Sequence, residues 1–215
     1  MNFEELMNKR FSTRDFTDKK ISEDDLKEII KIAGRSPSWA NTQPWNVHIA
    51  SGEYLEKIRA EWIERNNNEI KGNSDLPVGH SEDFGERGFN NIMQNANAIT
   101  EFIGGPEDLS RLPRLLFNAP AVVYLTVPKT APMWSVYDLG AFSMSLMLAA
   151  SEKDINSVPA YELAKYPDVL RDNLDIGDDE SVIIGIALGY ASENKINEYR
   201  SPRLDVEDIL KIYDE

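Results

Sequence analysis

The sequence predicts one α+β or mixed α/β domain over residues 1–215, and two observations lead to this fold class. The apolar runs 121–127 and 181–190 are hydrophobic on both faces, which is typical of strands in the middle of a sheet. Segments with helical spacing of apolar residues surround these runs, and neither an internal repeat nor a linker interrupts their order. A chain of 215 residues is long enough for one substantial hydrophobic core.

The first elements follow from local signals. Residues 3–7 form a short amphipathic helix pattern, whereas residues 9–14 have no helical period and are expected to be extended. Ser22 is a suitable N-cap because acidic residues occupy the turn after it, and the helix that it starts ends near Gly34.

The middle of the chain alternates between clear and weak signals. A short strand is predicted over residues 46–50 and a helix over residues 52–64. Residues 66–105 are polar and rich in asparagine, with a helix pattern near residues 89–96. This excursion is expected to run over the surface, either as a lid that covers a site or as a flexible loop. Pro106 then opens a short helix.

The C-terminal half contains the strongest signals. The strand at 121–127 is followed by a helix over residues 136–150 that is apolar nearly all round. Such a helix is expected to be buried, either centrally or across a subunit interface. After the strand at 181–190, Asp205 is expected to cap a final helix through residues 206–212.

Composition limits the classes of function. The chain is 41% hydrophobic and 28% charged, which is typical of a soluble globular protein. It has no apolar run of membrane-spanning length and no export signal at its N-terminus, so no membrane association and a cytoplasmic location are expected. There is no cysteine, and His48 and His80 are the only imidazoles, so no metal site is expected. A formal net charge of −14 argues against nucleic-acid binding.

The stretch 35–45 combines two prolines, two tryptophans and several short polar side chains. Its proline content predicts a rigid turn or 3₁₀ segment, because each proline fixes φ and removes a backbone donor. Two interpretations remain open from the residues alone. The stretch is either the wall of a binding site or a tight connection whose tryptophans fill the core.

Positive charges cluster at the two ends of this acidic chain. They are Lys9, Arg10, Arg14, Lys19 and Lys20 near the start, and Lys195, Arg200 and Arg203 near the end. These islands indicate either a local anion site or solvated surface pairs with nearby acids. No Walker A loop, no dinucleotide-binding Gly-x-Gly-x-x-Gly and no Gly-x-Ser-x-Gly elbow occurs, so anion binding would depend on arginines.

Five motifs in order along nearly the whole chain resemble the FMN-dependent nitroreductase family. They are Arg10-Phe11-Ser12-Thr13-Arg14, Pro37-Ser38-Trp39-Ala40-Asn41-Thr42-Gln43-Pro44-Trp45, Phe117-Asn118-Ala119-Pro120, Gly189-Tyr190 and Arg200-Ser201-Pro202-Arg203. The resemblance implies a nitroreductase-like α+β fold, with a central mixed, mostly antiparallel sheet flanked by helices. It also implies an intertwined homodimer with two FMN sites at the interface.

The resemblance also implies which residues bind the cofactor. They are Arg10, Phe11, Ser12, Arg14, Pro37, Ser38, Trp39, Asn41, Gln43, Pro159, Ala160, Tyr161, Arg200 and Arg203. The arginines would hold the phosphate, and residues 37–43 would come from the partner subunit. Trp39 is expected near the flavin ring and Trp45 in the core. Many family members have an acidic residue followed by glycine where this chain has Ala160-Tyr161, and that difference leaves ring electronics and substrate shape open.

The function implied is reduction of nitroaromatic, quinone or similar electron-poor acceptors by NADH or NADPH, in a ping-pong cycle through flavin N5. No catalytic side chain is assigned, because the protein's task would be to hold FMN and shape the pocket. Two alternatives stay open. One is a specialised relative that performs dehydrogenation or reductive removal of a substituent, and the other is a flavin carrier or regulatory protein without turnover.

Overall fold

The computed structural model describes residues 1–214. The helices are α1 (Phe3–Lys9), α2 (Glu23–Ala33), α3 (Gly52–Asn67), α4 (Gly85–Ile103), α5 (Glu107–Arg114), α6 (Trp134–Glu152) and α7 (Pro167–Asn173). The strands are β1 (Asn46–Ser51), β2 (Ala121–Pro128), β3 (Asn156–Ala160) and β4 (Glu180–Gly189). Within this part of the chain, no helix has both the length and the apolar character that crossing a membrane would require.

The four strands form one sheet in the order β1-β2-β4-β3, and every neighbouring pair is antiparallel. The parallel component of the expected mixed sheet is limited to an isolated bridge between Ser12 and Ser157, beside edge strand β3. β2 and β4 occupy the centre, as their apolar sequences predict.

Side chains of β2 alternate between two hydrophobic clusters on opposite faces of the sheet. Val122 and Tyr124 belong to a cluster that includes residues of α3 and α7. Val123 and Leu125 belong to a cluster that includes residues of α2 and α6. This period-2 alternation explains why β2 is apolar on both faces. α6 covers the second face, and its burial was predicted from its composition.

Several predicted elements are confirmed. The Ser22 hydroxyl caps α2 by accepting a hydrogen bond from Asp25 N at 3.0 Å. β1, α3, β2, α6 and β4 lie where the patterns place them. In the excursion at 66–105, the helix expected near residues 89–96 is present and is longer than its pattern. It is α4, which spans Gly85–Ile103.

Two short elements escaped prediction, and one predicted helix was wrong. β3 is a five-residue strand that contains Pro159, and α7 has Pro167 at its start, so neither shows a long apolar period. The final helix expected through residues 206–212 is only one 3₁₀ turn, Val206–Asp208, and Asp205 makes no side-chain cap. None of the apolar side chains in this segment is buried, so tertiary packing does not support a helix there.

Candidate functional site

The two ends of the chain meet at a cavity of about 430 Å³. Its wall combines the end of α1 and the segment after it with the segment after β4. The lining residues are Met7, Asn8, Arg10, Phe11, Ser12, Arg14, Tyr199, Arg200, Ser201 and Arg203. The structure therefore brings together the two arginine-bearing motifs that are farthest apart in the sequence.

A buried asparagine joins the two ends. The side chain of Asn197 accepts hydrogen bonds at Oδ1 from the backbone N–H groups of Arg14, at 2.8 Å, and Asp15, at 3.3 Å. Its Nδ2 donates to the carbonyl oxygens of Asp15, at 2.8 Å, and Ser192, at 3.1 Å. Asn197 thus satisfies backbone groups of both segments and fixes their relative position. Sequence reasoning missed this residue, because its partners lie at the other end of the chain.

Within residues 1–214, the cavity arginines donate hydrogen bonds only to neutral groups. The guanidinium of Arg200 lies 3.5 Å from the centroid of the Phe11 ring, a cation–π contact that orients its plane. Arg14 Nη1 donates to the carbonyl oxygen of Ser12 at 3.1 Å. Arg203 Nη1 donates to Ser201 Oγ at 2.8 Å.

This arrangement differs from that of four arginines elsewhere in the protein. Arg59, Arg65, Arg111 and Arg171 each form an ion pair with an aspartate or glutamate. Among residues 1–214, no carboxylate lies within ion-pair distance of the four cavity arginines. Within residues 1–214, four arginines without a carboxylate partner therefore converge on one cavity of an acidic chain.

The cavity has the electrostatics of an anion site. Burial, and then the nearby Arg203, lower the pKa of Arg10, while burial, opposed by Tyr199, lowers the pKa of Arg14. The Nε atom of Arg10 is buried and finds no hydrogen-bond partner in the described residues. An anion with several oxygens, such as a phosphate, would supply both the missing charge and the missing acceptor.

A second cavity, of about 240 Å³, lies next to the first, and Ser12 and Arg14 line both. Most of its other lining side chains are apolar. The lining residues are Ser12, Arg14, Asp108, Leu109, Leu112, Pro113, Phe117, Val158, Pro159 and Ala160. Pro159 and Ala160 lie here as expected, whereas Tyr161 is not among the lining residues and begins the next turn, with a half-exposed side chain. The two cavities suit a ligand with a phosphate at one end and an apolar ring near the other.

The stretch 37–43 does not line either cavity of its own chain within the described residues. It forms a 3₁₀ turn over Trp39–Asn41, as its proline and polar content predicted. Ala40, Asn41 and Gln43 have φ values of 46°, 61° and 46°, in the left-handed region that non-glycine residues rarely occupy. Each such residue costs about 1–3 kcal/mol, and this strain is typical of functional segments.

The two tryptophans of this stretch have different environments. Trp45 stacks on Phe142 of α6 with ring centroids 4.8 Å apart, and it is partly buried at the margin of the core in which it was expected. Trp39 is 60% exposed and lies 5.3 Å from the ring of Trp134, which sequence reasoning did not single out. The backbone N–H of Trp39 donates to Oδ2 of the buried Asp138 at 3.0 Å, which ties the strained turn to α6.

Comparisons with known proteins find similar chains over nearly the whole length of this one. The sequence profile of the Nitroreductase family matches residues 7–190. A 4-nitrobenzoate reductase from Pseudomonas putida is 29% identical over 207 residues, covering 94% of this chain and 91% of that protein. Nitroreductase NfnB from Mycolicibacterium smegmatis is 28% identical over 211 residues, covering 93% and 88%.

A solved structure shows the same fold. It is that of the FMN-dependent nitroreductase NfnB from Mycobacterium smegmatis in complex with NADPH, which superposes with a TM-score of 0.89 at 24% identity. The superposition covers 98% of this chain and 97% of that one. The predicted nitroreductase-like α+β fold is therefore confirmed.

Proposed function

The chain belongs to the nitroreductase family, and from this premise we propose that it is an FMN-dependent oxidoreductase driven by NADH or NADPH. Its acceptors are proposed to be nitroaromatics, quinones or similar electron-poor compounds. The relatives support this reaction class, since they are named as a 4-nitrobenzoate reductase and as nitroreductase NfnB.

The observation that carries the proposal is the group of arginines without carboxylate partners. Four guanidinium groups converge on one cavity, and the Nε atom of Arg10 lacks an acceptor among the described residues. Arg10, Arg14, Arg200 and Arg203 would hold the FMN phosphate through charge-assisted hydrogen bonds. Stacking on Phe11 limits the motion of Arg200 before the ligand arrives.

The remaining roles follow the shape of the two cavities. Ser12 would bond the polar chain of the cofactor where the cavities join, and Pro159 and Ala160 would border the ring. When bound, FMN supplies hydride transfer at N5 between the nicotinamide and the acceptor, in a ping-pong cycle. The chain's own residues hold the ring and exclude water from it, and no side chain is assigned an acid or base role.

We also propose that the functional unit is an intertwined homodimer. In this arrangement residues 37–43, including Pro37, Ser38, Trp39, Asn41 and Gln43, border the flavin of the partner subunit. Helix α6 supports such an interface, because a Cβ added at Gly140 would meet no atom within 4 Å and the helix there is open to close approach. Tyr137 beside it is 73% exposed.

The excursion at 66–105 is proposed to cover part of the site. Its helix α4 packs beside the C-terminal arginine segment, where Tyr199 donates from its hydroxyl to Asn95 Oδ1 at 2.9 Å. α4 and this segment also line a further cavity that includes Arg203. Movement of α4 would therefore change access to the cavity of about 430 Å³ that the four arginines line, the arginine cavity.

A spectroscopic experiment tests the proposal. Purified protein is expected to be yellow and to release FMN on heating, and anaerobic NADH or NADPH is expected to bleach the oxidised flavin. Reoxidation by a nitroaromatic completes the cycle. A colourless protein that does not take up added FMN would contradict the proposal. Flavin that stays oxidised with both nicotinamides would instead favour a carrier without turnover.

One specific observation favours a second candidate function, the reductive removal of a substituent. An iodotyrosine deiodinase from Hydra vulgaris is 24% identical over 194 residues, covering 87% of this chain and 64% of that protein. The chain also has Ala160-Tyr161 at the place where the family resemblance implies an acidic residue followed by glycine. Release of iodide from 3-iodotyrosine by the reduced protein, without reduction of nitroaromatics, would select this second function.

A further inference from the structure

We propose that Gly72 and Tyr161 form a positioning contact, which joins the excursion at 66–105 to the end of β3 and holds that end beside the flavin ring. The inference rests on the proposed function, because it assumes that Pro159 and Ala160 border the ring. In the described part of the chain Tyr161 lines neither of the two cavities, so it acts here through its neighbours and not by touching the cofactor.

The side chain of Tyr161 lies directly against Gly72. A Cβ atom added at Gly72 would lie 3.0 Å from the hydroxyl oxygen of Tyr161 and 3.1 Å from the carbonyl oxygen of Lys165. Both distances are shorter than an ordinary van der Waals contact of a Cβ atom. Gly72 is not among the glycines with a positive φ, so this position requires the absence of a side chain and not a special backbone conformation.

The excursion is fixed on its side of this contact. The backbone N–H of Asn73 donates to the carbonyl oxygen of Lys165 at 2.9 Å. Two residues further on, Asp75 forms its ion pair with Arg171 at 2.7 Å. Because these bonds hold residues 70–75 on the body of the protein, a side chain at position 72 would displace the phenol of Tyr161 more easily than the backbone below it.

The turn that begins with Tyr161 is held on its other side as well. The indole Nε1 of Trp62 donates to the carbonyl oxygen of Glu162 at 3.0 Å, and Leu163 is fully buried. Glu162 and Lys165 form an ion pair at 2.6 Å, and their side chains are only 21% and 14% exposed. A segment with so many internal contacts opens rarely, so the turn keeps one position.

This turn starts at the ring end of the candidate site. Ala160 is the last residue of β3 and lines the cavity of about 240 Å³, and the 3₁₀ turn starts at the next residue. Successive side chains along a strand face opposite sides, so Ala160 faces the cavity and Tyr161 faces the excursion. The phenol thus anchors the backbone next to Ala160. Displacing it would move Ala160 relative to the ring, and a binding group tolerates a displacement of only about 0.5 Å.

The test compares Gly72→Ala with the matched control Gly34→Ala. Gly34 ends α2, and a Cβ atom there would meet only backbone oxygens at the ordinary distance of 3.4 Å. Tyr161→Ala, Tyr161→Phe and the double variant Gly72→Ala with Tyr161→Phe complete the series.

Flavin affinity is measured without turnover. Protein loaded with FMN or with riboflavin is diluted stepwise, and the fluorescence of the released flavin gives the dissociation constant. The visible absorption spectrum of the bound flavin reports the surroundings of the ring. Urea denaturation of the flavin-free protein records any general loss of stability in the same variants.

Gly72→Ala and Tyr161→Ala are each expected to raise the dissociation constants of FMN and riboflavin by the same factor, about tenfold, the value of a good aromatic contact. The factor is the same because both flavins carry the ring, so the preference for FMN stays as in the wild type. Tyr161→Phe should behave as wild type. In the Gly72→Ala background it should restore most of the affinity and the absorption spectrum, because it removes the hydroxyl that the new methyl group meets.

Unchanged affinity for both flavins in Gly72→Ala would overturn the inference, whatever happens to stability. A loss of affinity that Tyr161→Phe does not restore would also overturn it, because Gly72 would then act through the carbonyl of Lys165 alone. Gly34→Ala should match the wild type throughout. Failure of the proposed function is distinguishable, because the wild-type protein would then bind neither flavin.

Discussion

Arginine side chains have different partners in two regions of this protein. Near the start of β4, Arg171 and Asp75 form a double hydrogen-bonded ion pair, with an Nη2 to Oδ2 distance of 2.7 Å and an Nη1 to Oδ1 distance of 3.3 Å. Their side chains are only 17% and 15% exposed. In the arginine cavity, by contrast, four guanidinium groups have no carboxylate partner among the described residues.

The Arg171–Asp75 pair contributes to the stability of the fold, whereas the cavity arginines are available to bind a ligand. Asp75 neutralises the charge of Arg171 and also accepts from the backbone N–H of Val182 at 2.7 Å, so removing one partner leaves a buried charge. In the cavity, burial and then the nearby Arg203 lower the pKa of Arg10, so an anion bound there would offset both effects. Substitutions in the two regions should therefore change different measured quantities.

The largest expected effect is on stability, in Arg171→Met. This change leaves the Asp75 carboxylate without its ion pair, and we expect the free energy of unfolding to fall by about 3–5 kcal/mol. Urea denaturation of the FMN-free protein measures the loss. In Arg171→Met with Asp75→Asn the stranded charge is removed, and part of the stability should return. If the free energy of unfolding of Arg171→Met lies within about 1 kcal/mol of the wild-type value, the ion pair does not have the stabilising role assigned to it here.

The next effect is on cofactor retention. Arg14→Ala and Arg203→Ala should each weaken FMN binding by about 1.5–3 kcal/mol, because each removes a charge-assisted contact with the phosphate. Arg203→Ala should not lower the stability of the FMN-free protein, since it removes a cation near Arg10. The amount of flavin released per mole of protein measures FMN retention, and urea denaturation measures the stability of the FMN-free protein. Arg65→Ala, which removes an arginine paired with Asp168, is the matched control and should retain FMN. Wild-type retention in both cavity variants would refute the phosphate assignment.

A carboxylate at the start of β4 gives a smaller, pH-dependent effect. Burial raises the pKa of Glu180, but hydrogen bonds from Thr126, Asn46 and His48 outweigh it and hold this pKa at about 2, below its usual 4.5. Because the folded-state pKa is depressed, the stabilisation is complete above the usual pKa and disappears as the pH falls towards 2.

The variant Glu180→Gln tests this linkage. It should lose about 1–2 kcal/mol of unfolding free energy at neutral pH, where the charged hydrogen bonds are present, and little at acid pH. Denaturation curves over a pH series give the result. An acid dependence as steep in the variant as in the wild type would show that other carboxylates cause it.

The smallest expected effect is in the core. Tyr124 is fully buried on β2, and its hydroxyl has no hydrogen-bond partner within residues 1–214. Tyr124→Phe should therefore be neutral or stabilise the protein by up to about 1 kcal/mol, because it removes an unpaired polar atom. A loss of more than about 1 kcal/mol in thermal or urea unfolding would show that the hydroxyl has a partner in solution.

The fold was predictable where local patterns are long. β2 and β4 show as apolar runs, and α2 shows as a capped amphipathic helix, because burial and capping impose these patterns on the sequence. β3 and α7 are too short for a period to emerge. Residues 206–212 have a helical pattern, yet they bury no apolar side chain, so the pattern alone does not produce a helix.

The candidate site was only partly predictable for the same reason. Basic residues at both ends of the chain indicated an anion site. Their convergence depends on tertiary structure, so it could be expected only from the family resemblance. Asn197, Asp138 and Trp134 carry no local signal, because each acts on backbone or rings distant in sequence. Their roles follow from contacts that appear only after folding.

The most direct test of the account compares FMN with riboflavin, which has the same ring and ribityl chain but no phosphate. If the cavity arginines bind the phosphate, wild-type protein should bind FMN at least about 100-fold more tightly than riboflavin, since at least two charge-assisted contacts are lost. The preference should largely disappear in Arg14→Ala with Arg203→Ala. Equal affinity of the wild-type protein for both flavins would contradict the account.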